Sequence, residues 1–134
     1  MFRISTETHG VLDYLVGGAI AALPHVINCR PATRRVLRAA GLGAAVYSAL
    51  TDYERGLAKV LPMEGHLALD TLSGAGLITA AMLLHDETPQ NRALLAGIGA
   101  FEIAVASVTS TRAYAGNDAP NVVERAAERV REYV

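Results

Sequence analysis

His9 with Asp13, and His66 with Asp70, each stand four residues apart, a spacing that puts both side chains of a pair on one face of a helix and within mutual reach. If the two pairs converge, they supply two imidazoles and two carboxylates, a donor set suited to zinc or iron. The same groups could pass a proton or an ion along, because ionisable residues inside apolar helices mark such routes. A plainer role is structural: each Asp accepts from its His, or from nearby backbone, and fastens helices together. The spacing alone leaves all three readings open.

Glu102 poses a sharper problem. It stands near the middle of an apolar run, where an unpaired carboxylate is costly, so it must face other protein and either hold a proton or meet a donor. Tyr47, Ser48, Ser73 and Ser107 are the candidate donors. Glu102 is then a neutral, hydrogen-bonded structural group or a proton-carrying or binding one. Asp52 and Glu54 close another apolar run as a solvated boundary, with Asp52 near enough to join the His–Asp face, and we group Asp52 with Glu102 as intramembrane polar positions.

No other motif nominates an enzyme. Gly41-Leu42-Gly43 and Gly97-Ile98-Gly99 lack the preceding strand of a dinucleotide fold and read as helix-packing glycines. There is no nucleophile elbow, Walker loop or paired-cysteine metal motif, and no cofactor is implied. Cys29 is the single cysteine, so it forms no internal disulfide and reads as an ordinary small side chain. With 12 Lys plus Arg against 13 Asp plus Glu, there is no basic footprint for nucleic acid.

The elements that must position these residues are helices. Four apolar stretches, roughly 11–27, 36–51, 66–84 and 93–110, are rich in Ala and Leu and lack the alternation of a half-buried strand. Pro24 and Pro31 bracket the end of the first, Pro62 precedes the third, and Pro89 falls in the turn before the fourth. Hydrophobic residues make up 51% of the chain and charged residues 19%, below the usual share for soluble domains. Runs of this length reach about 24–30 Å, enough for a hydrocarbon core. Asp13, Arg38, Asp70 and Glu102 interrupt them, which keeps a soluble four-helix bundle, binding an apolar ligand or partner, as the rival. Against that rival, the second to fourth helices lack a wide charged face. Small residues also recur every four positions at Gly18 and Ala22, Gly41 and Ala45, Gly76 and Ala80, a spacing that lets helices approach closely in lipid.

The chain also repeats itself. His9, Leu12, Asp13, Leu15 and Gly17 match His66, Leu69, Asp70, Leu72 and Gly74 at a spacing of 57 residues. Downstream, Ala45-Val46-Tyr47-Ser48 matches Ala104-Val105-Ala106-Ser107 at a spacing of 59, which implies a two-residue loop change. Each copy then forms a helical hairpin, about 8–54 and 65–112, in one four-helix transmembrane bundle over 1–112. With helices running up and down, both His–Asp pairs fall at the same membrane face. Residues 113–134 read as a linker and a C-terminal amphipathic helix, with Val122, Ala126, Val130 and Val134 on one face and Asn121 with Glu124 as a capping box. Basic residues number seven at the face holding the termini and five at the other, which leans toward termini on the cytoplasmic side. The segment 1–10, carrying Arg3, Glu7 and His9, does not fit a secretory signal.

Several strings make up a family likeness: Thr8-His9-Gly10-Val11-Leu12-Asp13-Tyr14, Tyr47-Ser48-Ala49-Leu50-Thr51-Asp52-Tyr53-Glu54, Pro62-Met63, His66-Leu67-Ala68-Leu69-Asp70 and Gly99-Ala100-Phe101-Glu102-Ile103. Over about residues 3–112 the chain resembles the SPW-repeat family of small prokaryotic membrane proteins. The resemblance implies four membrane helices in two repeats and no established biochemical activity. The family's Ser-Pro-Trp is not kept: Leu23-Pro24-His25 retains only the proline, Ala80-Ala81-Met82 retains none of it, and the chain has no Trp. The expectation is a multi-pass protein of the cell membrane, non-enzymatic and accessory or scaffolding, with the bilayer and a homo-oligomer or membrane-protein partner around it. A transporter-like or metal-binding module using both His–Asp pairs and Glu102 is the alternative.

Overall fold

Capping chemistry sets where the helices begin. A computed structural model describes residues 3–111. They form α1 (Thr6–Ala22), a 3-10 turn (Leu23–His25), α2 (Pro31–Leu50), α3 (Met63–Leu83) and α4 (Pro89–Val108). Each helix starts a few residues before its apolar run. Ser5 and Thr88 accept from the backbone N–H groups of Thr8 and Asn91, both at 3.2 Å, so α1 and α4 start at polar caps rather than at the first hydrophobic residue. Pro31 and Pro89 are the first residues of α2 and α4. Pro89, expected in a turn, instead opens its helix, because a first-turn residue needs no backbone donor. At the far ends Thr51 and Thr109 leave α2 and α4 in extended conformation, and their hydroxyls donate back to the carbonyls of Tyr47 and Val105, each at 2.7 Å.

Among the described residues there is no strand, only two isolated parallel bridges, Ile4 with Thr109 and Leu61 with Thr51. These bridges expose the true register of the repeat. Ile4 and Leu61 stand 57 apart, like His9 and His66, while Thr51 and Thr109 stand 58 apart, like Pro31 and Pro89. The helix 2 and helix 4 copies therefore align at 58, not 59, and the connections between helices differ by one residue. The bridges also cross over: the start of each copy pairs with the end of the other.

The longest helix contacts run between α1 and α2 and between α3 and α4, with α2 against α3 joining the halves. Close approach occurs where glycine faces glycine. A Cβ added at Gly41 would lie 2.5 Å from the Gly17 carbonyl oxygen, and one at Gly74 would lie 2.5 Å from that of Gly99. Beside these contacts Ile20, Leu37, Leu77, Ala81 and Leu95 form the apolar core. Two helices, Met63–Leu83 and Pro89–Val108, are long and apolar enough to cross a membrane. The expected C-terminal amphipathic helix lies outside the described residues.

A carboxylate ties the halves together at the end away from the start of α1 and the end of α4. Glu87 is buried in the α3–α4 connection and accepts from the Thr33 hydroxyl at 2.6 Å, the Arg30 N–H at 2.8 Å, the Thr88 N–H at 2.9 Å and the Asn91 amide at 3.0 Å. Burial alone would raise its pKa, but these donors outweigh it and hold the carboxyl down at about 2, against 4.5 in an open chain. The resulting stabilisation is complete above pH 4.5 and is lost as the pH falls through 2.

Two predictions follow from this packing. Gly41→Ala should lower stability by about 1–3 kcal/mol, because its methyl would press on backbone. Gly43→Ala, whose methyl meets open space, should be neutral or stabilising by up to about 1 kcal/mol; equal thermal unfolding of the two variants would refute this account. Glu87→Gln should cost about 1–3 kcal/mol at neutral pH. That gap should shrink below pH 4.5 and vanish near pH 2, and a gap independent of pH in unfolding curves would contradict the ionised reading.

Candidate metal centre

Helices α1 and α3 bring the two His–Asp pairs together. His9 and His66 are buried, their Nε2 atoms are 3.1 Å apart, and their rings meet edge to face. Within each helix, His9 Nε2 lies 3.2 Å from Asp13 Oδ1 and His66 Nε2 lies 3.3 Å from Asp70 Oδ2. Between helices the approach is closer: 3.0 Å from His9 Nε2 to Asp70 Oδ2 and 3.1 Å from His66 Nε2 to Asp13 Oδ2. One donor atom from each of the four residues falls within 4.8 Å of all the others. A tetrahedral ion with ligands about 2.0–2.1 Å away has ligand-to-ligand edges of about 3.3–3.4 Å, and the His–His and His–Asp spacings of 3.0–3.3 Å lie within a few tenths of an ångström of that.

The outer nitrogens decide what the inner ones carry. His9 Nδ1 lies 2.8 Å from the Thr109 hydroxyl and His66 Nδ1 lies 2.7 Å from the Thr51 hydroxyl. Each threonine spends its one hydroxyl proton on a helix carbonyl, Val105 or Tyr47, and can only accept from the ring. Both imidazoles thus carry their proton on Nδ1, and in the neutral ring Nε2 is a bare lone pair. Two ring nitrogens and two carboxylates then face a common point, an arrangement that a shared proton or a metal ion would balance. An outer hydrogen bond that fixes the tautomer is the usual support of a metal-bound histidine.

Phenols hold the carboxylates in place. Tyr47 donates to Asp70 Oδ1 at 2.6 Å, leaving Oδ2 to face the imidazoles, and Tyr53 donates to Asp13 Oδ2 at 3.2 Å. Burial raises the Tyr53 phenol, so it keeps the proton it donates. Gly10 makes room for that ring, since a side chain there would strike it.

Of the other expected residues, Glu102 belongs nearby and Asp52 does not. Asp52 was expected as an intramembrane polar group; α2 ends at Leu50, the chain turns out at Thr51, and Asp52 is exposed in the connection that follows. Glu102 shares with His9, Asp13, Asp70 and Tyr47 a cavity of about 30 Å³. Ser73 stands near its carboxyl group, whereas Ser107 donates to the Ala104 carbonyl and Ser48 sits beside Tyr53. Thr51 and Thr109 went unnoticed in the sequence; the repeat at 58 was the signal that pairs them.

Over the described residues, fold and site together define an all-helical bundle of four helices with a largely buried two-histidine, two-aspartate cluster. No protein-family model, curated protein or solved structure matches the chain.

For an ion held by these four residues, Thr51→Val and Thr109→Val should each lower affinity about 10–100-fold in chelator competition. Thr71→Val, at an exposed hydroxyl bonded only to its own helix, should leave affinity unchanged. Wild-type affinity in both of the first two variants would remove the threonines from the site.

Proposed function

We propose that this chain is a multi-pass integral membrane protein of the SPW-repeat kind, non-enzymatic, whose two helical hairpins jointly hold one divalent transition-metal ion, zinc or iron, through His9, Asp13, His66 and Asp70. The observation that carries the metal reading is the fixed tautomer of both histidines, which points two bare nitrogens and two carboxylates at one place. Charge supports it as well. Two carboxylates and two neutral imidazoles are balanced by a divalent ion, and a balanced cluster suits an apolar surrounding. One proton instead leaves a net negative charge, and two set N–H groups against each other with nitrogens 3.1 Å apart.

The bilayer supports the outer surface. Leu15, Leu42, Val46, Leu72, Met82 and Phe101 all lie exposed on the helix faces, where a soluble bundle carries charge. With its 3-10 turn, α1 gains the length of a span. Arg34, Arg35 and Arg38 sit in the first turns of α2, from which their long side chains reach the headgroups.

A second reading has a specific observation in its favour: the close crosswise His–Asp distances of 3.0 and 3.1 Å also suit a proton-filled clamp that only fastens the helices. Elemental analysis separates the two. Protein recovered from the membrane fraction and purified in detergent should carry about one equivalent of zinc or iron per chain, and Asp13→Asn or Asp70→Asn should lose most of it. Metal-free wild type, with thermal stability unmoved by chelator, would sink the metal reading and leave the clamp; recovery in the soluble fraction without detergent would sink the membrane one.

A further inference from the structure

Glu102 is the polar group that the four-residue cluster does not use. Its Oε2 is closed off from solvent, and no donor among the described residues reaches it. A buried carboxylate oxygen without a donor is costly, so it calls for a reason. The fold does not supply one: the position equivalent to Glu102 in the first copy, at the spacing of 58, is Ala44, which lines the same cavity. Two copies of one helix pair therefore build the same bundle with and without the acid.

The cavity connects the two. His9, Asp13, Tyr47, Asp70 and Glu102 are its polar lining, while Leu12, Val16, Phe101 and Val105 contribute apolar side chains. The fourth metal ligand, His66, does not reach it, so the cluster is open on one face and sealed on the other. At about 30 Å³ the space has room for one or two water molecules. Closed four-ligand sites are structural, whereas working sites keep a position for a water or another small ligand.

We infer that the metal at His9, Asp13, His66 and Asp70 takes a fifth ligand, a water in this cavity, which donates a hydrogen bond to Glu102 Oε2. The centre is then five-coordinate, with one exchangeable position for a water-sized ligand. This rests on the metal reading given above, and Glu102 acts in it as a positioning residue.

Cobalt substitution tests it, because tetrahedral Co(II) absorbs visible light several-fold more strongly than five-coordinate Co(II). The full-length protein loaded with Co(II) in detergent should show the weak bands of five-coordination. Glu102→Leu should bind the same amount of cobalt with bands several-fold stronger, and Glu102→Gln, which can still accept from water, should keep the weak bands. Intense tetrahedral bands in the wild type would overturn the inference, even if the leucine variant does not fold. So would identical spectra in all three proteins. Failure of every protein to bind cobalt would overturn the metal reading itself, and this inference with it.

Discussion

A hydroxyl proton that goes to a helix carbonyl cannot also go to a ring nitrogen. Thr51 and Thr109 each make that choice at the last turn of a helix, and the consequence reaches the centre of the molecule. Their partners His66 and His9 must donate from Nδ1, so in the neutral rings both Nε2 atoms turn inward as lone pairs. The rest of the bundle serves this arrangement. Each threonine holds the histidine of the other copy, so neither half completes its own site, and the crossed bridges at Ile4 and Leu61 repeat the exchange in the backbone. Glycine pairs within each half let α1 approach α2, and α3 approach α4, backbone to backbone.

The duplication separates what the cluster needs from what was added to it. Histidines, aspartates, threonines and packing glycines occur in both copies. The phenols do not: Tyr47 and Tyr53, which steady both carboxylates, come from the first copy, and their equivalents at a spacing of 58 are Val105 and Thr111. The acids run the other way. Glu102 and Glu87 come from the second copy, with Ala44 and Cys29 opposite them. Glu87 has an evident structural task, bridging the connections of both halves with four donors. Glu102 lacks such a set of donors and faces the cluster's cavity instead.

Much of this was legible in the residues. The four-residue His–Asp spacing, repeated 57 residues on, named the four side chains and put them at one end of a helical bundle. Hydropathy found all four helices but misplaced their starts, since Ser5, Thr88 and the prolines at 31 and 89 fix those starts through the backbone. The threonines were hidden because Thr is common at helix ends and says nothing of its partner. Aligning Ser48 with Ser107 also shifted the second half of the repeat by one residue, which separated Thr51 from Thr109. Asp52 reads from sequence as a solvated boundary or as a member of the His–Asp face, and a single backbone turn at Thr51 turns it to the solvent. Crosswise pairing, shorter than pairing within a helix, depends on how α1 and α3 meet, and no one-dimensional spacing encodes it.

The placement of the cluster also bears on whether an ion is held or conducted. Cluster and cavity lie toward the end of the bundle where α1 begins and α4 ends. On the other side stand Ile20, Leu37, Leu77 and Leu95, all buried, with no polar side chain among them to replace an ion's hydration. Passage across the bundle would require those four chains to part and an ion to cross an apolar layer without ligands, at a cost that helix packing of this kind does not offset. An ion that reaches His9, Asp13, His66 and Asp70 therefore leaves by the side from which it came. For an ion held by these four residues, the arrangement favours retention over passage along the bundle.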